Sequence, residues 1–180
     1  MADDIAALIK HLGLEQADIF GFSLGGGVAL QTAIRHPELV RRLVLASISV
    51  DTFAGTPTYE AYVKTSPRPE AWPIFVAKMR QLLGEDYDWT EAVASLKTPT
   101  LILVGDADGL RLAHAVECFA LLGGGKADGD LAGLPLAQLA VLPATTHVGW
   151  APPYHGIITR TRLLLPILTE FLDSPLPETS

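Results

Sequence analysis

The chain has 180 residues, of which 49% are hydrophobic and 18% charged. That is enough apolar material for one buried core and too little charge for a disordered chain. Lys and Arg number 13 against 20 Asp and Glu, a formal net charge of −7, which repels phosphate backbones and anionic headgroups and argues against nucleic-acid and membrane-surface roles. The single cysteine, Cys118, closes no internal disulfide and is expected as a small buried hydrophobe on a helix; no Cys/His spacing makes a zinc site. No basic-then-apolar leader follows Met1, and no apolar run approaches the ~20 residues of a membrane span. A soluble, cytoplasmic globular protein is expected.

Helix-period and strand-period stretches alternate along the chain. Residues 2–12 place Ile5, Leu8, Ile9 and Leu12 at helical spacing, with Asp3 and Asp4 in the first turn, Lys10 and His11 in the last, and Gly13 as a stop. Residues 18–22 read as a short strand, apolar on both faces. The turn Gly25-Gly26-Gly27 opens a helix that ends near His36-Pro37, and Leu43–Ala46 is the next strand. Residues 50–96, with prolines such as Pro57 and Pro73 among amphipathic pieces, read as a small helical insertion. Strand character returns at Pro99–Val104, followed by a helix carrying Leu112, Val116, Phe119 and Ala120 on one face, and by a flexible loop over Gly123–Gly133. Leu139–Leu142 makes a fourth strand. The last helix is expected to begin near Leu163, with Pro166 in its first turn, and to run to Leu172. The pattern predicts an α/β fold of about four parallel strands flanked by helices. It forms a single domain with core 1–49 and 97–174, a helical cap 50–96 and a frayed tail 175–180.

In such sheets ligands bind at the carboxyl ends of the strands, and Ser23, Asp108 and His147 each fall just past one. Gly21-Phe22-Ser23-Leu24-Gly25 has the form G-x-S-x-G. That pattern places a serine at the tip of a sharp strand-to-helix turn, where side chains two before and two after it are expected to collide. The turn exposes Ser23 Oγ to a base and aims the N–H of Leu24, at a helix start, toward a developing oxyanion. Serine needs a base and the base an orienting acid. His147 is the natural base, in a loop after the fourth strand. His155 is a weaker competitor, and His11, His36 and His114 read as structural. For the acid, Asp108 has more reach than Asp106, with Asp51 an outside candidate. The order Ser23…Asp108…His147 is that of one hydrolase fold and neither protease order. Aromatic residues near the serine and in the insertion (Phe22, Phe53, Tyr59, Tyr62, Trp72 and Phe75) could line an acyl pocket or simply pack the insertion.

The segments GFSLGGGVALQTAIRHPELVRRLVL, PTLILVGDADG and LAVLPATTH resemble the α/β-hydrolase family, in its single-domain AB hydrolase-1 branch. The resemblance runs from residue 3 to the C-terminus in family order. It implies a Ser23 nucleophile, an Asp108 acid, a His147 base and Leu24 N–H as one oxyanion donor, with no cofactor and no metal. Some members use Asp as nucleophile, as dehalogenases and epoxide hydrolases do; a serine points to ester, thioester, lactone, amide or C–C bond hydrolysis. The chain departs from the pattern at its start. It reads as the C-terminal two-thirds of a member, without the N-terminal strands or the His-Gly loop that supplies a second oxyanion N–H. Two expectations follow: weakened activity, and a strand at 18–22 whose uncovered edge drives homodimerisation or other self-association. The expected activity is cleavage of a carboxylic ester or related acyl bond of a small molecule through an acyl-enzyme. The alternative is a truncated, non-catalytic module acting in interaction only. A dinucleotide site built on Gly25, Gly27 and Asp51 is disfavoured, because the glycines start too late for the turn and Leu30 stands at the third position.

Overall fold

The computed structural model describes residues 1–48, 67–83, 87–149 and 153–175. It divides into two compact units, Met1–Ser49 with Thr90–Ser180, and Val50–Trp89. The first unit runs α1 (Ala2–His11), β1 (Ala17–Phe22), α2 (Leu24–Arg35) and β2 (Val40–Ala46). After the second unit, which holds α3 (Trp72–Leu83), it continues as α4 (Thr90–Ser95), β3 (Thr100–Gly105), α5 (Leu112–Leu121), β4 (Ala137–Leu142) and α6 (Thr161–Asp173). The four strands form one parallel sheet in the order β1-β2-β3-β4, as the alternation of elements predicts.

Parallel strands buried on both faces read as continuous apolar runs, and β3, TLILVG, is buried at every residue. Val44, Ala46, Leu101, Leu103 and Leu142 share a core cluster with Ile157 and with Leu164 and Phe171 of α6. The alternate residues Leu43, Leu45, Ile102 and Val104 face the other way and are equally buried. Gly21, paired with Leu45, lies against α2: a Cβ there would meet Gly25 O at 2.4 Å and Ala29 Cβ at 2.7 Å. Helices therefore cover both faces of the sheet. On the outer side, Asp3 of α1 receives His36 Nε2 at 2.9 Å and Arg35 Nη2 at 2.8 Å, tying α1 to the end of α2.

Several expected boundaries and faces shift. β2 begins at Val40, not Leu43, because its two arginines are accommodated: Arg41 pairs with Asp18, and buried Arg42 donates to the carbonyls of Phe171 and Ser174. In α1 the buried stripe is Ala2, Ala6 and Ile9, while Leu8 and Leu12 are exposed. In α5, Leu112 and Val116 face solvent and His114, Ala115 and Cys118 are buried. Burial pushes the Cys118 thiol up to about 12, leaving it inert as a nucleophile. The Gly123–Gly133 loop contains a helical turn, Gly129–Ala132, capped by Asp128 Oδ1 on Asp130 N–H at 2.9 Å. α6 starts two residues early, at Thr161, so Pro166 sits inside the helix and not in its first turn. Phe20 on β1 is 43% exposed, and among the described residues β1 pairs only with β2, leaving it an edge strand. Among the described residues no helix is long and apolar enough to cross a membrane.

Candidate active site

Ser23 stands between the last residue of β1 and the first of α2 at φ 53°, ψ −122°, a conformation non-glycine residues rarely adopt. Its N–H donates to Ala46 O at 2.9 Å, and its carbonyl accepts from Gly26 N–H at 2.9 Å, so sheet and helix both hold the turn. Gly21 is the glycine this geometry requires, since a Cβ there would lie 2.6 Å from Gly26 Cα. The expectation for the second glycine of the motif is corrected: no described atom lies within 4 Å of a Cβ on Gly25. The crowded position is one residue on, at Gly26, where a Cβ would fall 1.8 Å from Ile48 Cγ2. Leu24 is the first residue of α2, so its N–H is one that the helix leaves without an internal acceptor.

Ser23 Oγ lies 2.9 Å from His147 Nε2, and His147 Nδ1 lies 3.0 Å from Asp108 Oδ1. The three residues named from the sequence are thus brought into one hydrogen-bonded line. The Asp108 side chain has no solvent exposure. Burial disfavours its charge, but hydrogen bonds from His147, the Leu110 N–H and the Ser47 hydroxyl outweigh that and hold its pKa below the ordinary carboxylate value. An ionised carboxylate only accepts, so Nδ1 carries the imidazole proton and Nε2 is left to accept from the serine hydroxyl. The Phe22 ring stacks at 34° on the His147 ring, centroids 4.9 Å apart, and also packs on the α6 core cluster. It is a wall for the imidazole.

The rejected alternatives have other places. Asp106 accepts the Thr145 N–H at 3.1 Å, and the Ala144 and Thr145 N–H groups hold its carboxyl below the usual range. Together with Ala107 N–H to Thr145 O at 3.1 Å, it fixes the turn that presents His147. Gly105 permits the close approach of that turn, since a Cβ there would lie 2.0 Å from Thr145 O. His155 is exposed; its carbonyl receives the Thr146 N–H at 2.9 Å, supporting the His147 loop from the other side. Asp51, Phe53, Tyr59 and Tyr62 lie outside the described residues, as does the side chain of Phe75. Trp72 is partly buried in the second unit. His114 sits 3.6 Å from Glu117, and among the described residues no group of three His, Cys, Asp or Glu could hold a metal.

Ser47 was missed by the sequence reading. It follows β2 at φ 50°, is 3% exposed, and donates from Oγ to Asp108 Oδ2 at 2.5 Å. Nothing in the run Ala46-Ser47-Ile48-Ser49 marks it. The signal available was only its place just past a strand's carboxyl end, where Ser23, Asp108 and His147 also lie.

The lowered carboxyls of Asp108 and Asp106 make the fold sensitive to acid. Each binds its proton less readily folded than unfolded, so their charged contacts support the fold above the ordinary carboxylate range and are lost as pH falls through the lowered values. Melting temperature should hold from neutrality down to about pH 4 and fall below it. Asp106→Asn, which leaves Ser23, His147 and Asp108 in place, should fall less steeply in melts between pH 7 and pH 3.

Residues 1–68 match the family model described as the alpha/beta hydrolase fold. A 2-hydroxymuconate semialdehyde hydrolase of Pseudomonas sp. (strain CF600) is 42% identical over 81 residues, 45% of this chain and 26% of that protein. The AB hydrolase superfamily protein YisY of Bacillus subtilis (strain 168) is 26% identical over 147 residues, 60% of this chain and 55% of that one. The chain thus spans between a quarter and just over half the length of these relatives. Among solved structures, a meta-cleavage product hydrolase from Pseudomonas fluorescens IP01 superposes with TM-score 0.64 at 20% identity, over 96% of this chain and 70% of that one. An α/β hydrolase enzyme from a Medee basin deep-sea metagenome library gives TM-score 0.64 at 19% identity over 99% and 73%. At such identities the likeness is one of fold.

Proposed function

We propose, from the match of residues 1–68 to the α/β-hydrolase family model and from the likeness of fold, that the chain is a serine hydrolase cleaving a carboxylic ester or related acyl bond of a small molecule. The observation that carries this is the unbroken line Ser23 Oγ–His147 Nε2 at 2.9 Å and His147 Nδ1–Asp108 Oδ1 at 3.0 Å, built on a serine at φ 53°. Ser23 Oγ attacks the acyl carbon while Nε2 takes its proton. Asp108, charged and buried, stabilises the imidazolium that results. The oxyanion of the tetrahedral intermediate falls where the Leu24 N–H is free to donate. Collapse expels the leaving group with the proton from Nε2, and water then releases the acyl group from Ser23 by the same steps. No metal or organic cofactor has a role in this scheme. Relatives named as hydrolases of a semialdehyde and as an esterase/lipase support an acyl substrate without choosing among them. A fluorophosphonate probe tests the proposal: it should label the protein on Ser23 and leave Ser23→Ala unlabelled. Absence of labelling would favour the alternative of a non-catalytic interaction module. A cytoplasmic setting belongs to the same proposal, supported by a sole cysteine that stays a free thiol.

We further propose self-association through β1. Its outer edge has no strand beside it among the described residues, Phe20 is exposed on it, and Ala17–Phe22 contains neither proline nor lysine to blunt it. Two copies related by a twofold axis would pair these edges antiparallel. Sedimentation at micromolar concentration should show a dimer, and Phe20→Lys should shift it toward monomer. A monomeric wild type would refute the pairing.

A further inference from the structure

We propose that Ser47 is a positioning residue for the reaction, its hydroxyl locking the Asp108 carboxylate in the orientation that His147 requires; this rests on the serine-hydrolase function proposed above. Asp108 is gripped on both oxygens. Oδ1 accepts the Leu110 N–H at 3.0 Å and faces His147 Nδ1 at 3.0 Å, while Oδ2 accepts the Ser47 hydroxyl at 2.5 Å. Rotation of the carboxylate about its own axis would break the Ser47 bond along with the other two. Without that donor, Oδ2 of a side chain with no solvent exposure would have no described partner, and a buried charged oxygen left unpaired drives reorientation or protonation.

The backbone of Ser47 points the same way. At φ 50° the position would suit glycine without strain, whereas a serine is held there at a cost that its side-chain bond offsets. The Ser47 N–H donates to Leu103 O at 2.8 Å, so the residue is anchored to β3, the strand that leads into Asp108. Donor and acceptor therefore spring from two paired strands of the rigid sheet. The residue is 3% exposed and its hydroxyl is spent on Asp108 Oδ2, so it acts on the reaction through Asp108.

Ser47→Ala and Ser47→Gly separate the hydroxyl from the backbone it sits on. If the hydroxyl orients Asp108, both variants label with fluorophosphonate at least about ten-fold more slowly than wild type, the loss expected for a hydrogen bond to a charged group. Both also shift or broaden the low-field proton resonance of His147 Nδ1–H, identified by its disappearance in His147→Gln. Ser47→Gly relieves the strained backbone, so it carries the test even where Ser47→Ala fails to fold. A Ser47→Gly protein that labels at the wild-type rate, or whose resonance is unmoved, would overturn the proposal and leave only a turn that needs positive φ. Should wild-type Ser23 not label at all, the serine-hydrolase reading fails, and the resonance alone still decides the role of Ser47.

Discussion

Ser23→Ala should lower kcat/KM for a short activated ester such as p-nitrophenyl acetate by about 10⁴-fold or more while the fold and its melting temperature stay unchanged. Ser23 is only partly buried, and among the described residues its Oγ bonds to His147 alone, at 2.9 Å, so the loss of the hydroxyl removes little that stabilises the protein. His147→Gln should cost about as much as Ser23→Ala, because a serine without its base and a base without its serine are equally idle. The double variant should then be no worse than either single one, since groups that act as one unit do not contribute additively. Turnover that survives Ser23→Ala would mean the turn is structural. A double variant far below both singles would mean that the two act independently. Relative to wild type the residual rate reports the binding site and the Leu24 N–H alone.

Gly21→Ala and Gly25→Ala, at the two glycines of the same five-residue motif, should have opposite outcomes. The added methyl on Gly21 meets Gly25 O at 2.4 Å, Gly26 Cα at 2.6 Å and Ala29 Cβ at 2.7 Å, two of them backbone atoms that cannot rotate aside. Relief requires lifting α2 from β1, which also displaces Ser23. The expected cost is about 3 kcal/mol, at the upper end for overpacking and a large part of a domain's net stability. On Gly25 the methyl has no described neighbour within 4 Å, and the residue is helical with no positive φ. There alanine should be tolerated and should raise stability by roughly 0.5–1 kcal/mol through helix propensity. Denaturant unfolding of the two variants beside wild type measures both, and equal losses would show that the motif's glycines are required for some reason other than space.

The fold class and the three residues in line were legible in the sequence because each rests on short-range rules. A short apolar run with turn residues at its ends specifies a buried strand, as Leu101–Val104 within TLILVG shows. A glycine before a serine that must turn sharply specifies the elbow. Acid and base could then be sought only past later strands, since a parallel sheet gathers those ends on one edge. Reach alone favoured Asp108, whose Oδ1 lies 3.0 Å from His147 Nδ1.

What the sequence could not determine depends on partners distant in the chain. Local periodicity says that a helix has an apolar side, but α5 is apolar nearly all round. Which side is buried was decided by where β3, β4 and α4 lie, and His114 and Cys118 went inward while Leu112 and Val116 stayed out. Arg41 and Arg42 look like the end of a strand until Asp18 and the carbonyls at the end of α6, some 130 residues on, supply their acceptors. Gly25 looks as crowded as Gly21 until Ile48 is seen to press on Gly26 instead. Ser47 and Asp106 are ordinary polar residues in sequence. The first came to donate to Asp108 and the second to hold the turn before His147 only when parallel pairing set the ends of β2, β3 and β4 side by side. The sequence by itself determined the elements and which polar residues stand just past them, because both are written in spacings of a few residues. The tertiary structure alone decided which buried polar groups satisfy one another, because a buried donor takes the acceptor that packing brings within 3 Å, whatever its distance along the chain.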